Sequence, residues 1–237
     1  MKKVIFLLGI VTLLVTSCYK LDQFKSDKKH ETGFHPTDFT NSTMFTNPYF
    51  PATENKTYIY EGETEDGMEH IEERRLNTFK IILDVKCIEV NFKAYLDGIL
   101  IEEAFDWYAQ DNFGTVWYFG EAVDNYNEDG TFKDHAGSWE AGVDGAEPGI
   151  IMLAHPRNGV KYREEFYPGH AEDEAQVIGT NLTVNIPLAT YTNCIKTKNW
   201  TKLEPGIIEH KYYAPNVGLI KEVNLQAQEE IFLVEIK

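Results

Sequence analysis

The sequence predicts a mainly β protein, an antiparallel meander forming a curved half-barrel or a closed barrel, with one or two short helices. Three observations predict it. About eleven segments rich in β-branched and aromatic residues follow one another between residues 58 and 236, and such residues suit a pleated, half-buried surface. Turn dipeptides punctuate them: Asp97-Gly98, Asp129-Gly130, Pro205-Gly206 and Pro215-Asn216. No window carries an apolar i, i+3, i+4, i+7 stripe over three turns, the signature of an amphipathic helix.

In chain order the strand-like segments are 58–60, 79–83, 88–95, 99–107, 115–119, 150–153, 183–186, 194–200, 207–213, 218–223 and 230–236. Asp97-Gly98 lies between the third and fourth, the strongest short-range signal for a two-residue hairpin. Residues 69–75 and 172–177 are the best helix candidates. Many sequential strands leave two sheet edges to hide, which favours closure into a barrel or folding over. Phe105-Asp106-Trp107-Tyr108 and Val116-Trp117-Tyr118-Phe119 flank the turn 110–114 as an aromatic hairpin. Alternation sets Phe105 and Trp107 on one face and Asp106 and Tyr108 on the other. One face belongs on the core, and the other lies under a loop, a ligand or a partner. Burial of both faces by the protein itself fits equally well. Residues 138–152, glycine- and alanine-rich around Trp139, suit a compact flap packed back on the sheet.

The N-terminus states an address. Lys2 and Lys3 precede residues 4–15, an apolar run broken only by Gly9 and Thr12, and Thr16-Ser17 leads to Cys18. The run is too short for a bilayer core of ~30 Å and reads as a cleaved signal peptide. Its small residues ending at Cys18 resemble the lipobox of bacterial lipoproteins, in which the thiol takes a diacylglycerol. An ordinary secretory signal with an incidental cysteine is the alternative. Several acyl chains on Cys18 would anchor firmly, because each buried CH₂ contributes ~0.8 kcal/mol. Residues 19–47 hold no sustained period and read as a tether. The expected organisation is therefore a signal peptide (1–17), a lipidated flexible tether (18–47) and a single β domain (48–237). The expected location is the bacterial cell envelope, lipid-anchored and facing the periplasm or the exterior. The membrane is the one partner so implied.

Charge narrows the function classes. Against 38 acids stand 22 Lys and Arg, a net charge of −16 that becomes −18 once Lys2 and Lys3 leave with residues 1–17. That sign argues against nucleic acid, whose phosphates need cationic neutralisation, and against electrostatic attachment to anionic lipid. It suits cations such as Ca²⁺, or simply a solvated surface. Asp144, Glu147, Glu172 and Asp173 are the candidate calcium ligands. Asn125 to Gly130 matches half of an EF-hand loop, but Ala136 stands where the bidentate glutamate is required. Cys87 and Cys194 either pair or stay as buried thiols; closure would contribute ~4–5 kcal/mol.

Catalytic signatures are scarce. Ser138 is the only serine beyond residue 47, and Ala136 stands where a nucleophile elbow needs glycine. His170-Ala171-Glu172 resembles a zinc-deaminase fragment without its Pro-Cys-x-x-Cys. Two-carboxylate glycoside chemistry requires only a separation, which no motif reveals.

With these residues in hand, the chain resembles an uncharacterised family of bacterial secreted proteins and lipoproteins. The matching stretches are Asn47-Pro48-Tyr49-Phe50-Pro51, residues 106–111 with 116–121, and residues 138–152, 162–173 and 204–219. Tyr212-Tyr213-Ala214-Pro215-Asn216-Val217-Gly218-Leu219 is more loosely similar to the closing hairpin of open β-barrel lipoprotein carriers, which hold acyl chains in a concave sheet. The functional expectation is a membrane-anchored, non-enzymatic protein binding an apolar or amphiphilic ligand, such as a lipid. Its candidate wall is Phe105, Trp107, Tyr108, Trp117, Phe119 and Trp139. A calcium- or cation-stabilised envelope interaction protein is the first alternative, and an envelope-polymer hydrolase with a carboxylate pair the second.

Overall fold

The structure, a computed structural model, describes residues 33–237. Fourteen strands form one antiparallel sheet: β1 (Thr57–Thr64), β2 (Gly67–Ile82), β3 (Val85–Leu96), β4 (Ile99–Gln110), β5 (Val116–Tyr126), β6 (Phe132–Asp134) and β7 (Trp139–Glu140), then β8 (Gly149–Met152), β9 (Lys161–Arg163), β10 (Asp173–Asn185), β11 (Thr190–Thr201), β12 (Glu209–Ala214), β13 (Gly218–Asn224) and β14 (Glu229–Ile236). The order is β6-β5-β4-β3-β2-β1-β14-β13-β12-β11-β10-β9, with β7 and β8 also pairing β5. The Asp97-Gly98 hairpin forms as expected, with φ of 49° and 82° at the two turn residues and Leu96 opposite Ile99. Positive φ at both positions is the geometry that matches strand twist.

The first and last strands meet. Thr57 N donates to the Lys237 carbonyl at 3.0 Å and Lys237 N to the Thr57 carbonyl at 2.9 Å. The sheet's free edges therefore come from mid-chain, at β6, β7 and β8 on one side and β9 on the other. So many twisted strands curl, and irregularities such as the register shift between Arg75 and Phe79 in β2 bend them further. The edges approach without closing. Glu147 N donates to the Phe166 carbonyl at 2.8 Å, and Gly149 lies so near Glu164 that a Cβ would stand 1.9 Å from its carbonyl oxygen.

Residues 69–75 belong to β2, and of the candidate 172–177 residues 173–177 belong to β10, not to helices; the helical element among the described residues is a 3₁₀ turn, Pro36–Asp38. The reason is chemical. Glu69 and Ile71 turn inward from β2, and Ala175 and Val177 from β10. Acid at an inward position hides the period-2 pattern that strand recognition relies on.

The folded part also takes in residues assigned to the tether. Phe34 and Phe39 pack edge-on against Trp117 and Phe119, with ring centroids 5.6–6.0 Å apart. Gln110 Oε1 accepts from Thr46 N and Asn47 N at 2.8 and 2.9 Å, and Asn47 Nδ2 donates to the Gly114 and Leu153 carbonyls. Irregularly spaced aromatics gave no periodic signal, yet they clamp this arm to the β4–β5 hairpin. Cys87 and Cys194 are buried and unpaired. They lie in different apolar clusters, Cys87 with Trp107 and Trp117, Cys194 with Phe92 and Leu233.

Candidate functional site

A cavity of about 160 Å³ opens on the inner face of the sheet. β2 contributes Glu73 and Arg75, β4 Asp106 and Tyr108, and β5 Tyr118. From the opposite side β12 contributes Glu209, Lys211 and Tyr213, the turn after β9 Glu164 and Glu165, and β10 Asp173. Phe50 and Pro51 of the N-terminal arm, Val90, Phe92, Trp200 and Leu219 are among the further lining residues. One side is aromatic: Tyr108 and Tyr118 stack at 4.7 Å with 21° between planes, and Phe50 meets Tyr108 edge-on at 5.0 Å.

The charged lining groups are mostly carboxyls, and the two cations among them, Arg75 and Lys211, are already engaged. Lys211 Nζ lies 3.7 Å from both Glu209 and Glu222. Burial works against its charge, but Glu222, Glu209 and their neighbours hold its pKa well above the ordinary value. Arg75 pairs with Glu54 at 3.1 Å and donates to the Ala52 and Thr43 carbonyls. Asp106 accepts from the Tyr118 hydroxyl at 2.5 Å, and Glu164 Oε2 accepts from Asn199 Nδ2 at 2.7 Å. Glu164 Oε1 and Glu165 Oε1 have no hydrogen-bond partner, although the two residues are only 5% and 4% exposed.

Burial dominates the titration of these groups. It pushes Glu73, Asp106 and Glu164 up to about 7 and Asp173 to about 6. Asp106 assists the rise at Glu73, while the tyrosine hydroxyls restrain Asp106. Glu165 goes well above its ordinary value by burial, then by Asp173 and Glu164. The acidic lining continues along the sheet interior, where burial and neighbouring acids raise Glu69 to about 9, and Glu102 and Glu222 to about 8.

The expected ligand wall is largely displaced. Of its members only Tyr108 lines the cavity. Trp117 and Phe119 occupy the opposite face beneath Phe34 and Phe39; Trp117 Nε1 donates to Asp111 Oδ2 at 2.9 Å. Trp107 lies under Lys80, whose Nζ is 3.3 Å from the ring centroid, and bonds Glu89 at 3.1 Å. Phe105, opposite Asn91 and Ala122, is absent from the lining. Trp139 is buried edge-on against Tyr118 at 5.3 Å. The hairpin is aromatic on both faces because the arm covers one and the cavity takes the other.

The candidate calcium ligands do not converge. Asp144 is exposed in a turn, Glu147 pairs with Arg163 at 3.6 Å, Glu172 accepts from Gly169 N at 2.8 Å, and Asp173 lines the cavity. Among the described residues no group of three or more His, Cys, Asp or Glu is placed to hold a metal ion. Cys18 lies outside the described residues.

Sequence reasoning missed Glu73, Asp106, Glu164, Glu165 and Lys211. The available signal was charge alternating with aromatics, as in Phe105-Asp106-Trp107 and Glu209-His210-Lys211-Tyr212-Tyr213.

No family model matches the chain, and no curated protein does. It is similar to two solved structures. One is a candidate exported protein of YmcC-like fold from Bacteroides fragilis, 14% identical, covering 80% of this chain and 98% of that one at a TM-score of 0.47. The other is a candidate lipoprotein from Parabacteroides distasonis, 13% identical, covering 81% and 99% at a TM-score of 0.42.

Proposed function

We propose that this is a non-enzymatic, lipid-anchored protein of the bacterial cell envelope that holds an amphiphilic ligand in the cavity of its half-barrel. The observation that carries the reading is the composition of that cavity. Phe50, Tyr108, Tyr118 and Leu219 supply apolar wall, while Glu164 and Glu165 present buried acceptors without donors. Ligand sites are typically apolar concavities with a few convergent polar groups, and an unsatisfied buried acceptor costs about 1–3 kcal/mol until a donor reaches it. The anchor rests on Cys18 and the signal that precedes it.

A hydrolase is the weaker reading. A carboxylate acid–base pair needs one carboxyl kept protonated beside one that stays ionised, and here Glu73, Asp106, Glu164, Glu165 and Asp173 are all raised above the ordinary carboxylate range. Native mass spectrometry of protein extracted from its own membranes tests the proposal. A retained small-molecule mass, released when the protein is denatured, is the expected result. Bare protein mass in repeated preparations would overturn it.

A further inference from the structure

We infer that the ligand's polar end is a positive charge, and that a protonated organic amine with an apolar body seats its ammonium against Glu164 and Glu165. This rests on the ligand-binding reading and specifies the chemical class. Both carboxylates are buried and each keeps one oxygen without a partner. The protein's own cations cannot serve them without giving up present contacts: Lys211 is divided between Glu209 and Glu222, and Arg75 is tied to Glu54 and two arm carbonyls. Burial raises the pKa of both acids; an ammonium placed beside them favours their ionised form and pairs with it, whereas an anion or a neutral ligand brings no opposite charge.

A metal ion fits less well than an amine. Glu164 Oε2 is held by Asn199 and Asp106 by Tyr118, so their oxygens are spread around the wall instead of converging. An ammonium offers several N–H donors to acceptors spaced apart. The stacked Tyr108–Tyr118 pair and Phe50 supply faces for its apolar body, and aromatic faces also attract cations.

The test compares probes sharing one tail: hexylammonium, 1-hexanol and hexanoate. Each is titrated calorimetrically into the full chain in non-ionic detergent, with titration into detergent alone subtracted. Hexylammonium should bind roughly tenfold or more tighter than hexanol, the gain expected of charge-assisted hydrogen bonds, and hexanoate should bind weakest. Glu165→Gln, nearly isosteric, should reduce the hexylammonium advantage over hexanol by about fivefold or more. Equal affinities for hexanol and hexylammonium would overturn the cation inference and leave the ligand-binding proposal standing. Failure of all three probes to bind would overturn both. Should Glu165→Gln not fold, the three-probe comparison on the wild-type chain decides alone.

Discussion

Replacing Gly149 with alanine should pry the sheet's two edges apart. A Cβ at this position would stand 1.9 Å from the Glu164 carbonyl oxygen, 2.4 Å from its carbon and 2.9 Å from Glu165 N, where real contacts do not fall below 3.0 Å. All three neighbours are backbone atoms, so no rotamer change relieves the clash. The segment itself must shift, and with it the bonds from Glu164 N and Glu165 N to the Asp173 carbonyl at 2.7 and 3.2 Å. Overpacking of this kind costs about 1–3 kcal/mol, and the strained bonds place the expectation near the upper end. For a domain of this size that lowers Tm by roughly 5–10 °C. Gly179→Ala is the matched control. It also lacks positive φ, but its closest neighbour is the Leu182 Cδ1 at 2.9 Å, the tip of a side chain that can rotate away. Its cost should stay within about 1 kcal/mol, partly offset by reduced unfolded-state entropy. Differential scanning calorimetry of both variants checks the contrast. Equal melting temperatures would refute the assignment of Gly149 as the point where the edges touch.

Stability of the ligand-free protein should fall as pH rises. Glu69, Glu102, Glu222, Glu73, Asp106 and Glu164 have folded-state values near 7 to 9, above the unfolded value. The folded state therefore holds protons that the unfolded chain has shed. Their contribution is complete below about pH 4, is lost progressively as pH rises by about 1.4 kcal/mol per pH unit for each such proton, and is gone once pH has passed the folded values of 7 to 9. Thermal melts at pH 5.5 and 8.5 check the sign, and a higher Tm at 8.5 contradicts it. Asp111→Ala should cost about 2–3 kcal/mol in urea unfolding, because the carboxylate accepts from Phe113 N, Thr115 N and Trp117 Nε1, each at 2.9 Å. An unchanged midpoint would show the β4–β5 turn holds without it. Cys18→Ser should move the protein out of the detergent phase on phase partitioning while leaving Tm unchanged, since the described fold begins after it; a mutant that still partitions into detergent would remove the anchor.

Local chemistry was legible wherever a short stretch decides the outcome. Asp97-Gly98 specifies its turn because both residues accept positive φ, and alternation in β3 and β13 follows from one apolar face. The β character of the chain and its meander order needed nothing more. Tertiary structure alone decided which face of each strand looks inward. The aromatic hairpin offers two equivalent faces, and the arm from Phe34 to Asn47 selects the Trp117 and Phe119 face as the covered one. The cavity was equally hidden. Its walls come from β2, β4 and β5 on one side and β10 and β12 on the other, brought into one sheet through pairing of the first strand with the last. Glu73, Asp106, Glu164 and Glu165 are, in sequence, acids like the protein's 34 others. Burial is a property of what surrounds a residue, and these surroundings come from segments far apart in the chain; no local pattern could carry that information.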